Sequence, residues 1–221
     1  FSLNVPLPPS VGRLAADLHL KRSGFDRVRE RRTLVCKRFG VEDVPNRVGV
    51  ADRAGRSDSS DAADGDSTLR KPDALAALRE DLRPLLSGTD PFDAAVTGVD
   101  VFDAPASGSR PVVYLAVESD GLVRLHRRLC AAYGAIEGIE GDDYVPHVTL
   151  ARGGNPEPGA VADLVAAEFD PIRWRVHALD VYDPEFREVA ATIDLEIAPA
   201  GPTAPESASA PGGSCLLDPS D

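Results

Sequence analysis

The chain has 221 residues, a hydrophobic content of 43% and a formal net charge of −12. Its length and composition suit a globular protein built as one large domain or as two small lobes with a shared core. No apolar run approaches the ~20 residues that a membrane-spanning helix needs, so we expect no membrane partner.

Acidic residues outnumber basic ones by 36 to 24, and lysine occurs only at Lys21, Lys37 and Lys71. This composition is typical of a halophilic cytoplasmic protein. A strongly negative chain repels nucleic acid in dilute buffer, but molar salt screens that repulsion to within ~3 Å. The charge therefore does not exclude an RNA substrate, and any anion site has to be formed locally.

Cysteine and histidine are few and widely spaced. Cys36, Cys130 and Cys215 lie far apart without a Cys-x-x-Cys pair, and the four histidines show no ligand-like spacing. We therefore predict no disulfide framework, no metal site and no cofactor, in keeping with a reducing cytoplasm.

The first part of the chain reads as strand, helix and strand, followed by a change in composition. The predicted elements are a strand at 2–7, a helix at 10–20 with Ser10 as its N-cap, and a β-prone run at 31–39 closed by Gly40. Residues 43–70 are rich in Asp, Ser, Gly and Ala and have almost no large apolar groups. This segment predicts a disordered acidic insertion or a long loop.

The second part mixes helices with strands that follow one another closely. The predicted elements are a helix at 73–87 capped by Asp73, one strand or two short ones at 92–102 broken at Gly98, a strand at 111–117, a helix at 119–133 opened by Ser119, a strand at 144–151, a helix at 157–168, and strands at 171–182 and 188–197. The tail at 199–221 is predicted to be disordered. Because several neighbouring strands look hairpin-linked, we predict an α+β domain over residues 1–198.

The most specific chemistry lies in the stretch YVPHVTLARGG at 144–154. His147 and Thr149 are two residues apart, so on a strand both point to the same face. The run HVTLARGG at 147–154 also resembles TLVCKRFG at 33–40: both have apolar residues at the second and fourth positions, arginine at the sixth and glycine at the eighth. This weak internal repeat suggests two related lobes.

On these residues, and above all on PHVTLAR, the chain resembles the 2H phosphoesterase family over roughly residues 1–198. That family includes the 2'-5' RNA ligases and the 2',3'-cyclic nucleotide phosphodiesterases, and carries a His-x-Thr or His-x-Ser motif in each lobe. The resemblance implies a bilobal fold with pseudo-twofold symmetry, in which two antiparallel sheets surround a central cleft and helices lie outside. It also implies metal-free chemistry, with one histidine as base and the other as acid.

By this resemblance His147 is the acid–base residue and Thr149 donates a hydroxyl to the phosphate. The first copy of the motif reads Thr33-Leu34-Val35 and lacks histidine. Arg32 would face the cleft if its strand shifted by one residue, and it could hold a phosphate but not transfer a proton. The predicted substrate- and phosphate-binding residues are Arg32, Thr33, Lys37 and Arg152.

Other basic residues and histidines leave alternatives open. Six basic residues form a local cluster: Arg27, Arg29, Arg31, Arg32, Lys37 and Arg38. This cluster is either a surface for an RNA backbone or a solvated turn paired with nearby carboxylates. His19 could replace the missing acid, but we favour its interpretation as an ordinary histidine on a helix. His126 is predicted on an exposed helix face, and His177 in a structural role.

Three hypotheses follow for the function. The first is an RNA-processing phosphodiesterase or ligase acting on 2'-5' or 2',3'-cyclic phosphodiester bonds, with weak turnover because one histidine is missing. The second is a binding module for RNA ends or nucleotide phosphates on the same fold. The third is a protein-interaction scaffold that uses the acidic insertion. The predicted partner is RNA or a 2',3'-cyclic nucleotide, and the predicted state is a cytoplasmic monomer.

Overall fold

The computed structural model describes residues 1–18, 24–40, 71–106 and 108–195. The predicted insertion at 43–70, the predicted tail at 199–221 and His19 lie outside these ranges. The domain boundaries therefore stay predictions.

Four α-helices and nine strands occur within the described ranges, with a short 3-10 helix at Gly141–Asp143. In chain order they are β1 (Ser2–Val5), α1 (Pro9–Asp17), β2 (Arg27–Val28), β3 (Leu34–Arg38), α2 (Lys71–Leu86), β4 (Phe92–Phe102), β5 (Val112–Glu118), α3 (Asp120–Tyr133), β6 (His147–Arg152), α4 (Pro158–Val165), β7 (Ile172–Val176), β8 (Ala178–Asp183) and β9 (Glu188–Asp194).

Of the three N-cap residues predicted from the sequence, the structure confirms one. Ser119 caps α3 as predicted, since its side chain accepts a hydrogen bond from Leu122 N at 3.2 Å. Ser10 does not cap α1, because Pro8 is the N-cap and the helix begins at Pro9, whose fixed φ suits a first helical position. Asp73 lies within the first turn of α2, where a carboxylate favours the helix dipole.

The strands differ from the predicted ones in number more than in place. The predicted strand at 171–182 is two strands, β7 and β8, which end and begin on either side of His177. The segment 92–102 is one strand, with a register shift between Val96 and Gly98 where a break was predicted. The two-residue strand β2 was not predicted, because its pairing with β6 is a long-range contact.

All strand pairs are antiparallel, and the order in the sheet is β7-β4-β5-β6-β3-β1-β8-β9, with β2 also paired to β6. The predicted α+β class is confirmed. The described strands form one continuous sheet instead of two separate sheets, because β3 and β6 pair at Leu34 and Val148. Apart from β2, four strands lie on each side of this β3–β6 pairing, which we call the seam.

The core lies where the helices cover the sheet. Two helices bury leucines at helical spacing: α2 buries Leu78, Leu82 and Leu86, and α3 buries Leu122, Leu125 and Leu129. None of the described helices is both long and apolar enough to cross a bilayer.

Gly121 lies at a close contact between α3 and the sheet. A Cβ atom at this position would lie 2.3 Å from Phe92 Cβ and 2.5 Å from Phe92 Cγ. We expect Gly121→Ala to lower the free energy of unfolding by about 1–3 kcal/mol, because helix and strand would have to separate. Urea denaturation measures this change.

The matched control is Gly12→Ala in α1, where a Cβ would meet no atom within 4 Å. This substitution should stabilise the protein by roughly 0.5–1 kcal/mol, because alanine loses less backbone entropy than glycine in a helix. Equal effects at the two positions would contradict the close packing of α3 on Phe92.

Candidate functional site

A cavity of about 380 Å³ opens over the seam between β3 and β6. This size is within the range of small-molecule sites. We call it the seam pocket. It is lined by Arg29, Arg31, Thr33, Val35, Arg38, Phe102, Ala104, Pro105, Ala106, Val112, Gly138, Ile139, Asp143, Tyr144, Val145, His147, Thr149 and Arg152.

Strand alternation divides β3 and β6 into a core face and a pocket face. Leu34 and Val148 pair across the seam and are fully buried. Their chain neighbours point the opposite way, so Thr33 stands across from Thr149 and Val35 across from His147. The two triplets compared in the sequence therefore face each other in the pocket.

A bulge in each strand brings an arginine to the same pocket. In β3 the pairing with β1 shifts between Leu3 and Asn4, leaving Cys36 as the extra residue. In β6 the pairing with β5 shifts in the same way, leaving Leu150 as the extra residue. Each bulge offsets the alternation by one, so Arg38 and Arg152 line the pocket.

His147 is held by its own backbone and by two aromatic rings. The centroids of the Phe102 and Tyr114 rings both lie 5.3 Å from the imidazole centroid, edge to face. His147 Nδ1 lies 2.7 Å from Val145 O. Because a carbonyl only accepts, Nδ1 carries the proton of the neutral ring and Nε2 is left to accept one.

The surroundings of His147 favour its neutral form. Burial lowers its pKa below the ordinary 6.5, the hydrogen bond to Val145 opposes this, and the charges of Arg38 and Arg152 lower it further. A neutral imidazole near pH 7 can act as a general base.

The seam pocket is strongly basic in a chain of net charge −12. Four arginines line it, with Asp143 as the one carboxylate of the described lining. Arg31 stacks over the Tyr182 ring at 4.5 Å and donates to Arg187 O. Arg29 N donates to Leu150 O at 2.7 Å, which places β2 beside the end of β6. The structure thus concentrates positive charge in one cavity.

Four of the six predicted site residues meet in this pocket: Thr33, His147, Thr149 and Arg152. Arg32 does not line it, because the register at Leu34 leaves no one-residue shift. Its Nη1 donates to Glu30 O at 3.3 Å.

Lys37 is a correction to the predicted phosphate contacts. It is 1% exposed, and its Nζ lies 2.7 Å from Glu140 Oε2. The bulge at Cys36 turns Lys37 away from the pocket and brings in Arg38. Of the basic cluster, Arg29, Arg31 and Arg38 line the pocket. Alternation backward from Thr33 favours Arg31 and Arg29 over Arg32, whereas nothing in the sequence indicated the bulge that exchanges Lys37 for Arg38.

His126 is not the missing second histidine. It is fully buried, where an exposed position was predicted. Its Nδ1 lies 2.6 Å from Cys36 O, and Nε2 accepts from Gly141 N at 2.8 Å. Its ring stacks on Tyr144 at 3.7 Å. Tyr144 in turn donates to Val35 O at 2.7 Å, so this stack supports the pocket floor from behind.

The described ranges contain no group of three or more His, Cys, Asp or Glu side chains that could hold a metal ion. Cys36 and Cys130 are both free thiols. Burial raises the pKa of each, which makes neither a reactive thiolate.

Comparison with known proteins adds a family and a fold. The sequence profile of the 2'-5' RNA ligase superfamily matches residues 66–185. The crystal structure of TT0787 of Thermus thermophilus is similar, with a TM-score of 0.53 and 19% sequence identity over 89% of this chain and 97% of that one. Among curated proteins nothing matches significantly. The profile spans more than half of the chain, and the chain belongs to the 2'-5' RNA ligase superfamily.

Proposed function

We propose that the seam pocket binds and slowly cleaves a 2',3'-cyclic or 2'-5' phosphodiester at an RNA end. The observation that carries this is the meeting of His147, Thr149 and Thr33 in one arginine-lined cavity. Membership of the 2'-5' RNA ligase superfamily supports a phosphodiesterase- or ligase-like function in general. The basic lining supplies the local anion site that a chain of charge −12 requires.

In this proposal His147 is the general base. Its Nε2 takes a proton from water as the water oxygen attacks phosphorus, and Thr149 and Thr33 donate hydrogen bonds to the phosphate oxygens. Arg38, which lies on the His147 side of the pocket, balances part of the charge that develops on those oxygens. The bond between phosphorus and the ribose oxygen then breaks, and because Thr33 is too weak an acid near neutral pH, the leaving oxygen takes its proton from solvent water, which makes turnover slow.

We further propose that β3 and β6 are related by the predicted pseudo-twofold symmetry. The triplets centred on Leu34 and Val148 pair with each other, and each is followed by a bulge and then by a pocket arginine. Apart from β2, four strands lie on each side of the seam. On this symmetry Thr33 corresponds to His147, and Val35 to Thr149.

Binding without turnover is the second candidate function. It is favoured by the absence of a second histidine from the described lining of the pocket. The two candidates differ in one measurement, since only an enzyme converts a nucleoside 2',3'-cyclic phosphate to a 2'- or 3'-phosphate.

The test is hydrolysis of adenosine 2',3'-cyclic phosphate by the wild-type protein and by His147→Asn. We expect slow wild-type turnover that falls by about 10²-fold in the variant, because the base is lost while the arginines remain. Wild-type kcat/KM should rise with pH through an ionisation below 6.5 and then level off, because the pKa of His147 is lowered.

The matched control is His177→Asn, because His177 does not line the pocket. It should keep wild-type turnover. Binding of the cyclic phosphate with no product would favour the binding module. If the protein neither binds nor hydrolyses the cyclic phosphate, the proposal is overturned altogether.

A further inference from the structure

The seam pocket holds more positive charge than one phosphate group needs. A cyclic phosphodiester carries a single negative charge, whereas four arginines and one carboxylate line the cavity. None of the four arginines forms an ion pair with a carboxylate anywhere in the described ranges. Like charges held together without counter-charges cost energy unless a ligand neutralises them.

The arginines are divided between the two ends of the pocket. Because β3 and β6 are antiparallel, Arg38 extends past His147, while Arg152 extends past Thr33 on the other side. Arg152 lies three residues beyond Thr149, or roughly 10 Å along the strand. The centre that holds the reacting phosphate therefore lies between two basic ends.

The end at Arg152 is the more basic one and has unused donors. Arg27 pairs with Arg152 in the β2–β6 register, and Arg29 lines the pocket beside it. Arg152 Nε is buried and has no hydrogen-bond partner. Burial, and then the charges of Arg29 and Arg27, lowers the pKa of Arg152. An unpaired buried donor is costly, and a bound anion or an ordered water would satisfy it.

Of the other two arginines, one is already engaged and the other lies at the opposite end of the pocket. Arg31 stacks on Tyr182 and donates to Arg187 O. Arg38 lies on the His147 side, where its charge acts on the imidazole. The guanidinium of Arg152 also lies close to Gly108, where a Cβ would come within 2.8 Å of its Nη1. Arg29 and Arg152 are therefore the arginines available for a second anion.

We propose that Arg29 and Arg152 form a subsite for a second, non-reacting phosphate. Resting on the proposed function, this defines the substrate as a ribose 2',3'-cyclic phosphate that also carries a phosphate on its 5' oxygen. That group is the 5'-phosphate of a mononucleotide or the phosphodiester that links an RNA 3' end to its upstream nucleotide. Two guanidinium groups provide the bidentate geometry that phosphate oxygens prefer.

The experiment compares three ligands by isothermal titration calorimetry. They are adenosine 2',3'-cyclic phosphate, the same compound with a 5'-monophosphate, and the dinucleotide ApA ending in a 2',3'-cyclic phosphate. The readout is the ratio of Kd values without and with the 5' phosphate group. We expect this ratio to be at least about 10 in the wild type, because charge-assisted hydrogen bonds are added.

Arg29→Gln and Arg152→Gln should each bring the ratio close to 1. Arg13→Gln, which removes the same charge from an exposed position on α1, should leave the ratio unchanged. If only the 5'-phosphorylated mononucleotide binds more tightly than the plain cyclic phosphate, the substrate is a mononucleotide. If only the dinucleotide binds more tightly, the substrate is an RNA 3' end. Both results support the subsite.

The outcomes separate this inference from the proposed function. If the plain cyclic phosphate binds but the 5' phosphate adds nothing, the subsite is overturned and the proposed function stands. The subsite is likewise overturned if the gain survives in both glutamine variants. If none of the three ligands binds, the proposed function and the subsite fail together.

Discussion

Replacing Thr33 by histidine should raise the hydrolysis of 2',3'-cyclic nucleotides by about 10²–10⁴-fold, the usual contribution of a positioned acid or base. The physical reason is the ribose oxygen that leaves, which lacks a proton donor in the wild-type pocket. An imidazolium at position 33 can supply that proton while His147 acts as the base.

The register explains why position 33 is the right one. Thr33 stands across from Thr149, so His147 is its diagonal neighbour on the partner strand. Diagonal neighbours in an antiparallel pair have Cα atoms roughly 7–8 Å apart, which leaves room for one phosphate between two imidazoles. The charges of Arg38 and Arg152 then act on both rings from opposite ends.

The control is Arg32→His, which adds the same side chain one residue away. Arg32 does not line the pocket, so this variant should gain nothing. The Thr33→His protein should also show a bell-shaped dependence of kcat/KM on pH, because an acid and a base are now both required. An unchanged rate in a variant with a wild-type urea midpoint would refute the role assigned to position 33.

The general form of the fold could be predicted from short-range patterns. The strand PVVYLAV, the amphipathic helix at 119–133 and its Ser119 cap all carry their signal within a few residues, and the structure confirms them. Strand β2 carries no such signal, because it forms only by pairing with β6 far along the chain. The single sheet likewise depends on one long-range pairing at Leu34.

The lining of the candidate site was predictable up to the first bulge. His147, Thr149 and Thr33 follow from plain alternation and from the resemblance between the two strands. Beyond Val35, alternation places Lys37 in the pocket and Arg38 outside it, and the bulge at Cys36 reverses both. A bulge depends on the partner strand as much as on its own residues, so the sequence of β3 alone did not reveal it.

Replacing Glu140 by glutamine should lower the free energy of unfolding by about 3–5 kcal/mol, because it leaves the ammonium of Lys37 buried without a counter-charge. Both side chains are 1% exposed. Glu140 also accepts hydrogen bonds from Arg38 N at 2.9 Å and from Ile136 N at 3.1 Å. Urea denaturation at neutral pH measures the loss.

The double variant Lys37→Met with Glu140→Gln is the control for charge. It removes both members of the ion pair, so it should be more stable than Glu140→Gln alone. Methionine fills a similar volume without a charge, and the glutamine side chain keeps an oxygen for a backbone donor. If the double variant loses as much unfolding free energy as Lys37→Met and Glu140→Gln lose together, the two charges do not act as a pair.

The dependence of stability on pH gives the same pair a second test. Burial raises the pKa of Glu140, but hydrogen bonds from Lys37 and from two backbone N–H groups outweigh it and hold the pKa below the ordinary 4.5. The folded pKa is thus lower than the unfolded one, so the stabilisation is complete above about pH 4.5 and is lost as pH falls through the folded value. The double variant lacks a carboxylate at position 140 and should not lose this component. In acid the stability of the wild type should therefore fall relative to that of the double variant, whereas a difference independent of pH would mean that Glu140 acts through its shape and not its charge.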